Sequence, residues 1–542
     1  MADALNERLR WLVPAALAIL LALAAAAVML YREWPASQSA AVDDGGALVS
    51  ALDAALKRPP EPPAGIAIRP LQPPQVSEQD AALSQAVCTS VSDALVRLPA
   101  LRVVACRSTA AAVAAALDDA ALARLLAVRH VLTGSVAARP GGRVHVRLAL
   151  VEARTAARVW HIDEEITDGE LQTLLPRVAE AVARAIGSPA PVTGDRPVAP
   201  DLYAVYLKAQ MLARQPSIDA RRAAVRLLDE IAAADPDYEP ALLLRHGIRG
   251  WLLGNLDEAR DIAALNAARA ENVAEGLALA RRIVARDPND PRGQWLLLAD
   301  EIERGQWAAG FDRLDAMLAS SGNDARLLRT AAKLHLHAGY LARAQALAVA
   351  AANIDALDAQ TFEVLALVAG MQQRNAASRE WTAIARQLGH EGMGRLEMVD
   401  AWRRGDWALL ERTYAQWVGW GGKWSNDWVP QWVRGVADPA QREAAVALLD
   451  GHDAATRQHF VSYFIEYALL GDYARSLAAI RHHARLPPAT WMQGLWWPEL
   501  APVRRDPQFA EAMADLGFIA LWEARGAPDL CERAASGGWR CR

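Results

Sequence analysis

The chain has 542 residues, a formal net charge of −5 and 22% charged residues. That length supports roughly two to four folding units. The charge balance excludes a surface built to coat nucleic acid, and the composition excludes a disordered chain.

Residues 1–10 form a short tail. Residues 11–31 (WLVPAALAILLALAAAAVMLY) carry no charge. At helical rise such a run spans about 31 Å, enough for a bilayer core. Pro14 falls in the first turn, where its missing N–H costs little, and Trp11 and Tyr31 sit where interfacial aromatics belong. A transmembrane helix in contact with the lipid bilayer is the expectation. A cleaved signal peptide is the alternative, but the apolar run continues through Val28, Met29 and Leu30. Arg8 and Arg10 precede the span, and Asp43 and Asp44 follow it. This bias favours a cytoplasmic N-terminus with the bulk of the chain exported. Residues 32–63 are a linker ending in the Pro-rich RPPEPPAG.

Residues 64–187 change pattern repeatedly. GIAIRPL (65–71), LRVVAC (101–106), HVLTGSVAA (130–138), RVHVRLALVEA (143–153) and ARVWHIDEEI (157–166) read as strands. Residues 77–98, 109–127 and 169–186 read as helices. The order predicts a small α/β unit with helices packed on one sheet. Cys88 and Cys106 test this layout. Ten helical residues back from Leu98 and five strand residues on from Leu101 cover nearly equal lengths, about 15 Å each. A turn at Pro99 therefore brings the two sulfurs level, and a disulfide is expected; two buried free thiols are the alternative. Cys531 and Cys541 form a second local pair, expected to tie down a tail.

The string Val131–Val136, the Gly turn, Arg143–Val146, Leu150–Ala153 and Val159-Trp160, with Leu98–Val104 before it, resembles the TolB-N-terminal-like (FlgO-like) domain. Arg69-Pro70-Leu71 and the loop after Ser108 depart from that pattern. The domain accompanies tetratricopeptide (TPR) arrays in bacterial regulators of the CadC and adenylate-cyclase type. Those relatives carry an N-terminal output domain, whereas ten residues precede the apolar span here. With the charge bias and the cysteine pairs, a single-pass bacterial inner-membrane protein with a periplasmic bulk is expected, and the departure from those relatives leaves an expectation of no output domain.

After a second linker (188–200), helical periodicity runs through 201–486. Gly305, Gly339, Gly405 and Gly471 each precede an aromatic, at spacings of 34, 66 and 66. Half of 66 is one TPR length, and the midpoints near Arg374-Asn375 and Asp438-Pro439 are also turn-like. Each Gly is expected to end the first helix of a hairpin in a left-handed cap, with the following aromatic packed into the next helix. Asp235-Pro236 and Asp287-Pro288 are expected to start new units. Seven or eight hairpins are predicted, with an insertion around 257–270. Residues 487–542 read as a capping segment. Trp497–Arg504, Asp506–Phe509, Leu516-Gly517, Trp522 and Pro528–Cys531 resemble the closing pattern of the same TPR regulators. The expected fold is mainly α: a transmembrane helix, an α/β domain and an α-solenoid.

No phosphate-binding loop, zinc-protease helix or nucleophile elbow occurs, so no catalytic, cofactor-binding or metal-binding residue is expected. His335 and His337, like His482 and His483, lack ligand spacing. Asp163-Glu164-Glu165 reads as a solvated acidic run. The 19 Trp against 6 Phe are unusual. Trp307 and Trp407 occupy the repeated hairpin position and read as structural. Trp417, Trp420, Trp424, Trp428 and Trp432 crowd around Gly421-Gly422, and Trp491, Trp496 and Trp497 form another group. They are either core packing or aromatic anchors for a partner. The leading expectation is a membrane-anchored scaffold binding protein partners in an envelope assembly. A sensor acting through the span and a glycan-acting enzyme are the alternatives.

Overall fold

The computed structural model describes residues 65–72, 78–96, 101–106, 108–110, 117–187, 196–215, 217–255, 262–321, 324–390, 393–418, 426–456, 463–485, 493–535 and 537–542. The apolar stretch 11–31 and the linker 32–63 lie outside them. Among the described residues no helix is long and apolar enough to cross a membrane.

The chain is mainly helical with one small sheet region. Strands β1 (Gly65–Ile68), β2 (Arg102–Val104), β3 (His130–Arg139), β4 (Arg143–Glu152) and β5 (Ala157–Thr167) form a sheet in the order β2-β1-β3-β4-β5. β1 runs parallel to β2 and β3, and β3, β4 and β5 form an antiparallel meander. Gly141 and Gly142 make the β3–β4 turn at φ +79° and +70°, a conformation that suits glycine. Helices α1 (Glu78–Val96) and α3 (Leu171–Ile186) supply Val87, Val91, Leu95, Leu174, Val178 and Val182 to one face. The helix expected over 109–127 is interrupted. Leu117 and Asp118 are not helical, and the Asp118 carboxylate accepts the Ala121 N–H at 2.6 Å to start α2 (Asp119–Leu126). Cys88 and Cys106 are joined, with Cα atoms 6.3 Å apart.

Eight antiparallel hairpins follow among the described residues. They are α4 (Pro200–Arg214) with α5 (Ile218–Ala234), α6 (Glu239–Asn255) with α7 (Ile262–Arg286), α8 (Pro291–Glu303) with α9 (Trp307–Ser321), and α10 (Ala325–His337) with α11 (Leu341–Ile354). Then come α12 (Ala359–Met371) with α13 (Asn375–Gln387), α14 (Gly394–Arg404) with α15 (Trp407–Val418), α16 (Val429–Ala437) with α17 (Arg442–Thr456), and α18 (Phe464–Leu469) with α19 (Tyr473–Ala484). Gly305, Gly339, Gly405 and Gly471 all end first helices at positive φ, and Gln373 takes the same position at φ +60°. One local expectation gains detail and another changes. The inserted residues, placed around 257–270 with no structure assigned, lengthen α7 from Ile262 onward. Their Ala-rich composition favours added helical turns. Asp287-Pro288 does not cap α8; Asp290 does, accepting the Arg292 N–H at 2.9 Å, with Pro291 as the first helical residue.

The two faces of the sheet belong to different cores. Ile66, Ile68 and Leu132 join α1, α3 and the first two hairpins. Their neighbours Ala67, Val104 and Val131 join a second core with α2, hairpins three to eight and the C-terminal segment. Strand alternation alone produces this division. The segment 188–200, expected to be a linker, is docked where it is described. Gln172 donates to the Val198 carbonyl at 2.7 Å and accepts its N–H at 2.9 Å.

Residues 493–542 depart most from expectation. They do not merely cap the last hairpin. α20 (Ala501–Arg504), α21 (Pro507–Asp515), α22 (Phe518–Arg525) and the ribbon β6 (Cys531–Arg533)–β7 (Trp539–Cys541) run back along the hairpin turns to hairpin three. Cys531 and Cys541 face each other across the ribbon and are joined, with Cα atoms 4.0 Å apart.

Candidate interaction surface

Each hairpin turn sets the first residue of the second helix at the same place. In hairpin three that residue is Trp307, fully buried, with its ring centroid 4.7 Å from Phe518 of α22. Gly517 packs on the Gly305 backbone there, and a Cβ at Gly517 would lie 1.9 Å from the Gly305 carbonyl oxygen. In hairpin four the position is Leu341, also buried. In hairpin six it is Trp407 and in hairpin eight Tyr473, which are 37% and 40% exposed. The expectation that this aromatic always packs inward therefore holds at Trp307 and fails at Trp407. The difference is coverage at that one position: α22 packs on Trp307, whereas Trp407 and Tyr473 stay exposed.

The C-terminal segment is held by buried indole hydrogen bonds and by contacts nearer the surface. Trp496 donates its indole N–H to the His337 carbonyl at 2.9 Å, and Trp522 donates to the Ala338 carbonyl at 3.0 Å. Trp496 lies against Gly339, and Trp497 lies against Gly370. Tyr340 donates to the Gly526 carbonyl at 2.9 Å, and Arg403 pairs with Glu499 at 2.7 Å. Arg525 spans to Asp312 and Asp315, both at 2.6 Å. These contacts occupy surface on hairpins three to six on that side.

The Trp cluster divides. Trp428 and Trp432 are buried against Tyr414, at 5.7 Å and 4.9 Å between ring centroids, so as partner anchors they are corrected to core residues. Their apolar rings complete the packing between α15, α16 and α18. Trp417 is in α15, but its side chain lies outside the described residues, as do Trp420, Trp424 and Trp491. Trp251 and Trp295 are 37% and 42% exposed, and the Arg221 guanidinium stacks 3.6 Å over Trp251. Sequence reasoning did not single out these two, nor Tyr473 as an exposed group.

The titratable groups are structural. His335 and His337 are pushed down to about 4 by burial, which keeps both rings neutral. Asp163 is held below the usual carboxylate range by hydrogen bonds from His145 and Arg147 across β4 and β5. Glu165 pairs with Arg143 of β4 and Glu164 with Arg177 of α3, so the acidic run is salt-bridged on both faces of β5. Glu466 is fully buried and accepts the Tyr414 hydroxyl at 2.6 Å. Among the described residues no group of His, Cys, Asp and Glu has a metal-holding arrangement.

A scan against protein-family models finds no match, and a search of curated proteins finds none.

Proposed function

We propose that the chain is an exported, membrane-tethered scaffold that binds protein partners through its helical array within an envelope assembly. The observation that carries this reading is the pair Trp407 and Tyr473. Both stand exposed at the position where Trp307 already receives an aromatic helix, α22, from the chain itself. Aromatics of this kind supply large contact area with few rotors, which is what interface anchors need. The two cysteine pairs support an oxidising compartment, because their Cα separations of 6.3 Å and 4.0 Å bring the sulfurs within bonding reach. The α/β unit and the apolar stretch 11–31 belong to the same reading: the first as a TolB-like binding module, the second as the tether.

A photo-crosslinker placed at Trp407 or Tyr473 in intact membranes tests it. Discrete protein adducts are expected, and Trp407→Ala with Tyr473→Ala should abolish partner binding. Both side chains are surface groups, so stability should change by less than about 0.5 kcal/mol. Adducts absent at both sites, or binding indifferent to the double substitution, would overturn the proposal. Four free thiols in the membrane-isolated protein would remove the exported compartment from it.

A further inference from the structure

One contact between the α/β unit and the array lies at the turn after hairpin four. There Ser108 donates its hydroxyl to Asp355 Oδ2 at 2.5 Å, and Arg102 of β2 donates to the Asn353 carbonyl at 3.0 Å. At the rim Asp93 of α1 meets Arg326 of α10 at 3.5 Å. Ala67, Val104 and Leu126 pack around the contact from the sheet side.

We propose that this contact is an acid-tightened latch, which Asp355 closes by taking up a proton. Asp355 is 6% exposed and terminates α11. Its other oxygen accepts the Leu357 N–H at 3.1 Å within the turn. Among the described residues, the charged groups around it come from each packed element. Asp358 follows in the same turn, Arg329 reaches from α10, and Arg102 comes from β2. The Arg329 cation is directed at Asp358, with which it forms an ion pair. Thr361 also donates to Asp358 at 2.8 Å. Asp358 is thus the satisfied member of the pair. Asp355 faces a neutral hydroxyl across the interface.

Burial, together with the Asp358 charge, pushes Asp355 up to about 6, while Ser108, the Leu357 N–H and Arg329 pull the other way. When the α/β unit lifts off, water reaches Asp355 and its value returns toward the usual carboxylate range. The closed state therefore binds the proton more tightly than the open one. Closure is favoured as pH falls through the closed-state value, and the advantage fades as pH rises above it. The proton comes from solvent and no bond other than O–H forms.

Hydrogen exchange of the Thr109, Leu357 and Asp358 amides, corrected for intrinsic rates, reads the opening equilibrium. In the full chain the opening constant should fall about tenfold from pH 7.5 to pH 5.0. Asp355→Asn should remove that dependence, because its amide cannot titrate and still caps the turn. Ser108→Ala removes a hydrogen bond that favours the charged carboxylate, so the transition should move to higher pH. Asp358→Asn removes a charge that raises Asp355, so its fall should be smaller than that of the wild type. A flat wild-type profile, an Asp355→Asn protein that keeps the dependence, or a fall in Asp358→Asn larger than that of the wild type overturns the latch.

Discussion

Gly339→Ala with Trp496→Ala tests whether residues 493–542 are an integral part of the array. Gly339 ends α10 at φ +89°, and an added Cβ would sit 2.7 Å from Trp496 Cζ2. Two costs follow. A left-handed alanine costs about 1–2 kcal/mol, and forcing a fully packed indole aside costs a further 1–3 kcal/mol or so. Gly339→Ala alone should therefore cost about 2–5 kcal/mol. Trp496→Ala removes a fully buried side chain and the hydrogen bond to His337, at a cost of about 3–5 kcal/mol. In the Trp496→Ala background the indole is gone, so Gly339→Ala should retain only its backbone cost. Urea unfolding followed by circular dichroism gives the four free energies, and the cycle gives a coupling of about 1–3 kcal/mol. Hydrogen exchange in α10 should rise together with exchange in α21. Additive costs, or loss of α21 and α22 with hairpins three to eight intact, would refute the reasoning.

Three further outcomes are expected. Burial holds Glu466 above the usual glutamate value, so its ionisation costs stability as pH rises through that raised value. One of its oxygens also has no hydrogen-bond partner. Glu466→Gln should thus raise the melting temperature at pH 8, by an amount equivalent to about 1–3 kcal/mol, and by less at pH 5. Cys531→Ser opens a loop of sequence separation 10 and should cost roughly 2–3 kcal/mol in denaturant unfolding, with exchange rising first in β6 and β7. Gln373→Gly relieves a non-glycine residue at φ +60° and should stabilise the chain by up to about 1 kcal/mol in the same assay.

Much of the fold was legible where its cause is local. Period-two alternation in Val144, Val146, Leu148 and Leu150 marked β4, and Gly305, Gly339, Gly405 and Gly471 each end a first helix as expected, whereas Gly254, also read as a turn, lies within α6. The return of residues 493–542 was not legible. Its contacts join groups such as His337 and Trp496, which are 159 positions apart, and leave no periodicity in either segment. One trace was present: Gly370 lies inside α12 where no turn requires it, and its bare Cα makes room for Trp497. The interaction surface was half legible for the same reason. Spacing identified Trp307 and Trp407 as equivalent, but only a distant segment makes one buried and the other exposed. For the Trp417–Trp432 cluster, aromatic density alone could not separate core from surface, and Trp428 and Trp432 proved to be core.

The backward course of the C-terminal segment also sets an order on biogenesis. A ribosome delivers the eight hairpins before it delivers Trp496, Phe518 and Trp522. Until then Gly339 and Gly370 have no rings against them, Gly305 lacks the Leu516-Gly517 backbone, and Trp307 and Phe311 stand without Phe518 and Arg525. The nascent array must therefore wait in an apolar-exposed state, the kind that chaperones hold and proteases cut. Products truncated before residue 493 would keep this exposed surface and stay within reach of the same chaperones and proteases.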